Sequence, residues 1–304
     1  MNSVRRKVIA FGALSILFLF LILMGSRFVM GKMEQGRADE TAVQTALEET
    51  AESEAVDEPK VLYFLMGHKM AGTGMRFTTE LTQAGFLCRE LDLTEAGEVP
   101  EDASLLLICG PLTDIGEEEE AALEAYAGGG GDLMVFLDGD SMVLPNLEKF
   151  LAGYGVAVKN GVLLDPKEGY FEEYEPLLLC DLYYSEMTKR VAAMKKKYPM
   201  PMSRAFLIDD GAGLRTEPIL QTSGEAYIFS FAEESGSNEA SFREEETGKY
   251  LTAAWIRRKE KKGNSDLVVF GSAQVLIAAD QMEPEDLWGD PVELLTEVVM
   301  NLTK

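Results

Sequence analysis

The sequence predicts an α/β protein: a doubly wound, mostly parallel sheet with an additional strand-rich extension, preceded by one transmembrane helix. Three observations carry this. Between Pro59 and Ala152, short unbroken apolar runs alternate with single amphipathic stretches, the pattern of strands covered on both faces by crossover helices. Beyond residue 166, further strand-like runs follow with no linker composition to set them apart. At the start, five basic residues and no acid surround a long apolar run within residues 1–32.

In chain order, PKVLYFLMGH reads as a buried strand entering a loop, and FTTELTQAGFLCRELDL as a helix, a break at Gly85 and a second strand. ASLLLICGP is a third strand. IGEEEEAALEAYA places Ala121, Leu123 and Tyr126 at helical spacing behind an acidic first turn that suits the helix dipole. DLMVFLDG is a fourth strand and LPNLEKFLAGYG a third helix, after which VAVKNGVLLDP has the look of a short strand pair. These elements make residues 59–166 a flavodoxin-like or class I amidotransferase-like doubly wound domain. In residues 167–304, AFLIDD, EPILQTS, EAYIFS, KYLTAAWIRR and DLVVFGSA read as strands completing the same sheet, and PVELLTEVVMNL as a closing helix. EESGSNEASFREEETG is a polar excursion and KEKKGNS a charged hairpin tip.

Ahead of this body, Arg5, Arg6 and Lys7 form a basic stub over residues 1–7, predicted to be cytoplasmic. Residues 8–30 are predicted to span the membrane: seventeen uncharged residues run from Val8 to Met24, with a second apolar patch from Phe28 to Met30. Charges ahead of the span orient it with the amino terminus inside and the body outside the cytoplasm. A cleaved signal peptide fits less well, because the apolar core is long and no small-residue cleavage site closes it. Residues 31–58 are an acidic tether, with nine acids and one arginine from Met33 to Glu58 and too little apolar surface to fold.

The 304 residues are 46% hydrophobic, enough for a substantial core, and carry a formal charge of −24. Five of the 28 basic residues lie in residues 1–32, leaving 23 against 52 acids, or −29, on the rest. A surface that acidic repels nucleic acid and anionic lipid, so no nucleic-acid partner is expected.

The glycine run Gly128–Gly131 stands between a helix and a strand, the reverse of the strand-to-helix order of a phosphate loop, so it reads as a helix C-cap. The only histidine, His68, ends the first strand and Cys109 ends the third. In a parallel sheet both share the carboxyl edge with Asp138 and Asp140, which makes His68 and Cys109 the candidates for a thiol–imidazole pair. Gly110–Pro111 follows Cys109 where a nucleophile elbow would open a helix, so no catalytic residue is assigned. His68, Gly110, Asp138 and Asp140 are the candidate ligand-binding edge. Asp138 and Asp140 read as a solvated turn at a strand end, with a hard-cation site as the lesser alternative because no third carboxylate stands at a fixed spacing. Cys88, Cys109 and Cys180 lack zinc spacing and leave any disulfide open, so neither a metal nor a cofactor is expected. The acidic run Glu117–Glu120 reads as a solvated helical turn. KRVAAMKKKYP, residues 189–199, reads as an exposed basic helix, with a docking strip as the functional alternative.

Taken as an ordered series, YFLMGH, ASLLLICGPLTDIGEEEEAALEAYAGGGGDLMVFLDG, PNLEKFLAGYGVAVKNGVLLDP, EPILQTSGEAY and DLVVFGSA with a closing helix resemble the auxiliary component of ABC-type transport systems of the gliding-motility kind. The resemblance covers most of residues 60–304. It implies a membrane-anchored, non-catalytic protein with an extracytoplasmic, amidotransferase-like domain, whose partners are an ABC permease and other auxiliary membrane subunits. The family commonly has a further amino-terminal domain and often a carboxy-terminal span, whereas here the sheet follows the tether directly. The family's aspartate near the last strand is replaced by Ser272, Ala273 and Gln274. A cysteine-dependent hydrolase and an extracytoplasmic ligand-binding module are the alternatives from other functional classes.

Overall fold

The computed structural model describes residues 59–304 except 140–142, 168, 172–173, 210, 212, 233–240, 245–246 and 282–287. The stub, anchor and tether expectations therefore lie outside the described residues. Among the described residues, no helix is long and apolar enough to cross a membrane.

The first half is built by strict alternation. Strand β1 (Val61–Leu65) is followed by α1 (Met75–Gln83), then β2 (Leu87–Leu91), a single turn α2 (Leu93–Ala96), β3 (Ala103–Cys109), α3 (Glu117–Gly128), β4 (Leu133–Phe136) and α4 (Pro145–Ala152). Along each strand, successive side chains enter opposite cores, as the pleat dictates. Leu62, Phe64, Leu105, Leu107, Met134 and Phe136 pack on one face with Phe77 and Leu81 of α1. Tyr63, Leu106, Ile108, Leu133 and Val135 pack on the other with Leu123 of α3 and Phe150 of α4. Both faces are buried, which is why these strands read as unbroken apolar runs.

The second half changes the character of the sheet. It comprises β5 (Val156–Leu164), β6 (Gly169–Phe171), β7 (Tyr174–Leu182), the turn α5 (Lys189–Ala192), β8 (Lys197–Pro201), β9 (Arg204–Ile208), β10 (Leu214–Gln221), β11 (Tyr227–Ala232), β12 (Ser241–Glu244), β13 (Leu251–Glu260), β14 (Gly263–Phe270), α6 (Gln274–Gln281) and α7 (Pro291–Leu302). The main path runs β12-β11-β5-β9-β13-β14-β4-β3-β1-β2, with β10 joining β13 to the β7 branch. Among the named strands of the described residues, β2-β1-β3-β4-β14 is the parallel part. The other nine pairings are antiparallel. The expectation of a mostly parallel sheet is thus corrected to a mixed one. Its cause is connection length: among the described residues between β5 and β14 the only helix is one turn, and without crossover helices the strands return by hairpins such as Glu260–Gly263.

Three local expectations also change. VAVKNGVLLDP is one strand, its register shifting between Val158 and Val162, rather than a strand pair. KRVAAMKKKYP is a helical turn followed by strand β8, because Lys197–Asp181 closes a ladder with β7. Glu119 and Glu120 are buried rather than solvated. The glycine run closes α3 as expected: Gly128 ends the helix, Gly129 is the cap at φ −76° and Gly130, at φ 93°, takes the left-handed turn.

Candidate functional site

The carboxyl ends of β1, β3, β4 and β14 converge on one edge, and three of the four sequence-predicted edge residues lie there. Asp140 lies outside the described residues. His68 sits in the loop after β1 with φ 52°, uncommon for a residue with a side chain. Its backbone carbonyl accepts from Leu112 N at 3.0 Å and Thr113 N at 3.1 Å, lacing the β1 loop to the β3 loop. Its ring is held on both sides. Nδ1 lies 3.0 Å from the Asp114 carbonyl and Nε2 2.9 Å from Glu119 Oε1. A carbonyl only accepts, so Nδ1 carries a hydrogen, and Nε2 shares one with the Glu119 carboxylate.

Those partners have second duties. Glu119 Oε2 accepts from Gly116 N at 2.7 Å, closing the first turn of α3. The Asp114 carboxylate accepts from Asn146 N at 2.8 Å and Leu147 N at 3.2 Å, capping α4. Glu120, next along, binds Lys149 of α4 at 2.6 Å. The histidine is thus one link in a bonded chain joining β1, α3 and α4.

Cys109 is buried, and burial alone pushes its thiol up to about 12. A thiol there stays protonated at neutral pH and is a poor nucleophile. Both His68 nitrogens are occupied by oxygen acceptors, so neither is free to draw its proton. Cys109 instead lines a cavity of ≈ 320 Å³ with Phe64, Met66, Met70, Thr78 and Cys88. All three cysteines are free thiols.

Gly110, with φ 65°, is packed against its neighbours: a Cβ there would stand 2.3 Å from Ala273 Cβ, 3.1 Å from Ala71 Cβ and 3.5 Å from Asp138 Cβ. Asp138 is fully buried, so the solvated-turn reading of this residue is corrected. Gln274 Nε2 donates to its Oδ2 at 2.9 Å, from the segment where the resembled family carries aspartate. Near Asp138 is a residue that the sequence reading missed. Arg204, 2% exposed on β9, donates through Nε to the Lys159 carbonyl at 2.9 Å and through Nη2 to Glu148 at 3.2 Å. Burial lowers its pKa, while Glu148 and Asp138 act in the opposite direction. Only the pairing of β9 into the sheet brings Arg204 to Glu148, 56 residues away, so no local pattern could have signalled it. Among the described residues, no group of three or more His, Cys, Asp or Glu could hold a metal ion.

Comparison with known proteins agrees with this architecture. The N-terminal domain of mmIFT52 is similar with a TM-score of 0.54 at 17% identity, over 80% of this chain and 97% of that one, which shows a shared fold. A ThuA-like protein from Bacteroides uniformis aligns with a TM-score of 0.45 at 15% identity, over 82% of this chain and 94% of that one. A glutamine amidotransferase from Thermotoga maritima aligns with a TM-score of 0.41 at 12% identity, over 80% and 98%. No curated protein sequence matches the chain. A family model described as ABC-type uncharacterized transport system matches residues 59–295, most of the chain, which therefore belongs to that family of ABC transport auxiliary components.

Proposed function

We propose that the protein is a non-catalytic auxiliary subunit of an ABC-type transport system, of the gliding-motility kind. It is anchored by residues 8–30, holds its body outside the cytoplasm and docks on an ABC permease. Family membership supports the transport association and, with it, a permease partner. The basic stub ahead of the apolar run supports the anchor and its orientation. The observation that carries the non-catalytic reading is the state of the one thiol–imidazole candidate: the His68 ring is committed to Asp114 and Glu119, and Cys109 is buried with its thiol raised to about 12.

Purification of the full chain from detergent-solubilised membranes tests this reading. An ABC permease is expected to co-purify, and external protease is expected to digest the body of intact cells whose outer layers have been opened. Absence of any permease under mild detergent, or a protected body, would overturn it. A second reading, a ligand-binding module, is favoured by the cavity beside Cys109. Loss of transport in a folded Thr78→Phe variant, which fills that cavity, would promote it.

A further inference from the structure

A second hollow lies away from Cys109, where α1, the α5 turn and α7 meet. It encloses ≈ 330 Å³ and is lined by Arg76, Glu80, Arg190, Asp290, Val292, Glu293 and Thr296. That volume is at the lower end of small-molecule sites, so it suits a ligand smaller than a typical drug. Two of its charges are structural: Arg76 pairs with Asp290 at 2.6 Å and also donates to the Ala279 carbonyl, tying α1 to the start of α7.

The other charges are held more loosely, Arg190 and Glu293 in a long ion pair with each other. Arg190 Nη2 is 3.8 Å from Glu293 Oε1, beyond hydrogen-bond length, and its side chain is 61% exposed. The Glu80 carboxylate has no hydrogen-bond or ion-pair partner among the described residues. Between them stands Thr296, 8% exposed, whose Oγ1 is buried without a hydrogen-bond partner. Buried hydroxyls are normally paired, so an orphan one beside a polar hollow marks a missing partner.

We propose that this cleft binds a small zwitterion of the α-amino-acid class. Arg190 receives the carboxylate through a charge-assisted bond. Glu80 and Glu293 receive the ammonium, Thr296 supplies a hydroxyl to the ligand's polar end, and Val292 offers apolar surface to its side chain. With Arg76 neutralised by Asp290, the remaining charges are one guanidinium against two carboxylates, the loose Arg190–Glu293 pair being the one a zwitterion would part. A simple anion would be repelled, and a diamine would meet Arg190 with no anionic group to offer it.

Titration of the full-length protein in detergent with each of the twenty proteinogenic amino acids, followed by calorimetry, tests the proposal. At least one should bind saturably, and its amide and its deaminated acid should each bind at least about tenfold more weakly, since each loses one charged contact. Arg190→Ala should abolish the preference for the free acid over the amide. Glu80→Gln together with Glu293→Gln should abolish the preference for the amine. Thr296→Val should weaken binding where Thr296→Ser keeps it. Arg190 and Glu80 are exposed, so their variants should keep the parent's circular dichroism. No saturable binding by any of the twenty would overturn the proposal. So would binding that the folded Arg190→Ala and Glu80→Gln/Glu293→Gln proteins leave unchanged.

Discussion

Gly110→Ala is the substitution that most directly tests whether the carboxyl edge is a packed seam. Two costs combine. A residue with a Cβ at φ 65° is disfavoured by roughly 1–2 kcal/mol. The added carbon would also stand 2.3 Å from Ala273 Cβ and 3.1 Å from Ala71 Cβ, both fixed to backbone rather than to a mobile side-chain end. Relieving that overlap by backbone movement costs about 1–3 kcal/mol, giving a total of about 2–5 kcal/mol. Urea unfolding followed by tryptophan fluorescence should show a lower midpoint with an unchanged slope. Ala273→Gly in the same chain removes the 2.3 Å overlap but not the backbone cost, so the double variant should recover part of the loss, with a coupling of about 1–3 kcal/mol. A Gly110→Ala protein within about 0.5 kcal/mol of the parent, or one that Ala273→Gly fails to help, would refute the reasoning.

Neighbouring glycines of the Gly128–Gly131 run should respond with opposite signs. Gly128→Ala, helical with nothing within 4 Å, should stabilise by about 0.5–1 kcal/mol, whereas Gly130→Ala, at φ 93°, should destabilise by about 1–2 kcal/mol. Thermal unfolding of both variants checks this. Asp132 is pushed up to about 7 mainly by burial, with Asp266 adding repulsion and the Asp266 N–H and Arg257 opposing. Its folded form holds a proton that the unfolded form releases near 3.8, so this residue's contribution to stability falls as pH rises from about 4 to about 7 and is level above. Discounted for partial exposure, the change is roughly 2 kcal/mol, and Asp132→Asn should flatten that part of the pH–stability curve measured by urea midpoints. An aromatic disulfide reagent at pH 8 should modify half-buried Cys88 first and leave Cys109 and Cys180 unreacted until the chain unfolds, which mass spectrometry of the labelled peptides would read.

The parallel half was legible because its strands are buried on both faces and its helices carry ordinary signals. β3 carries five apolar residues in a row from Leu105 to Cys109 and β4 four from Leu133 to Phe136, and the acidic first turn of α3 announced a helix start. The β7–β8 arm was obscured for physical reasons. Lys195, Lys196 and Lys197 lead into Pro199 and Pro201, residues that argue against a strand, yet among the described strands β8 pairs with β7 alone, its other side carrying just a single bridge from Lys197 to Trp288, and an edge strand tolerates proline. Helix α6 follows β14 after only three residues and begins with Gln274, Val275 and Leu276, with no acidic first turn to mark a start, so the sequence alone signals no helix there. At the edge, sequence placed His68 and Asp138 at strand ends but said nothing of their partners. Glu119 is 51 residues from His68 and Gln274 is 136 from Asp138, so those bonds exist only once the sheet order is set.

Those bonds change what the carboxyl edge can do. In open α/β sheets this edge binds ligands because the helices that begin there offer uncommitted N–H groups and a positive dipole end. Here the protein supplies its own anions to three of them. Asp280 accepts from Met75 N and Arg76 N, each at 2.8 Å, at the start of α1. Glu119 closes on Gly116 N at the start of α3, and Asp114 takes Asn146 N and Leu147 N at the start of α4. An anionic substrate at any of these helices would have to displace a carboxylate already in place. A tetrahedral intermediate would likewise find these donors committed, whereas an oxyanion hole needs donors aimed at developing charge. Glu119 also holds His68, while Asp114 ties the β3 loop to α4 and Asp280 ties α6 to α1, so the groups that would oppose ligand binding are those that stiffen the edge. A rigid edge closed from within suits a surface that docks on a partner better than one that turns over a substrate, and this is the physical support for the subunit role proposed above.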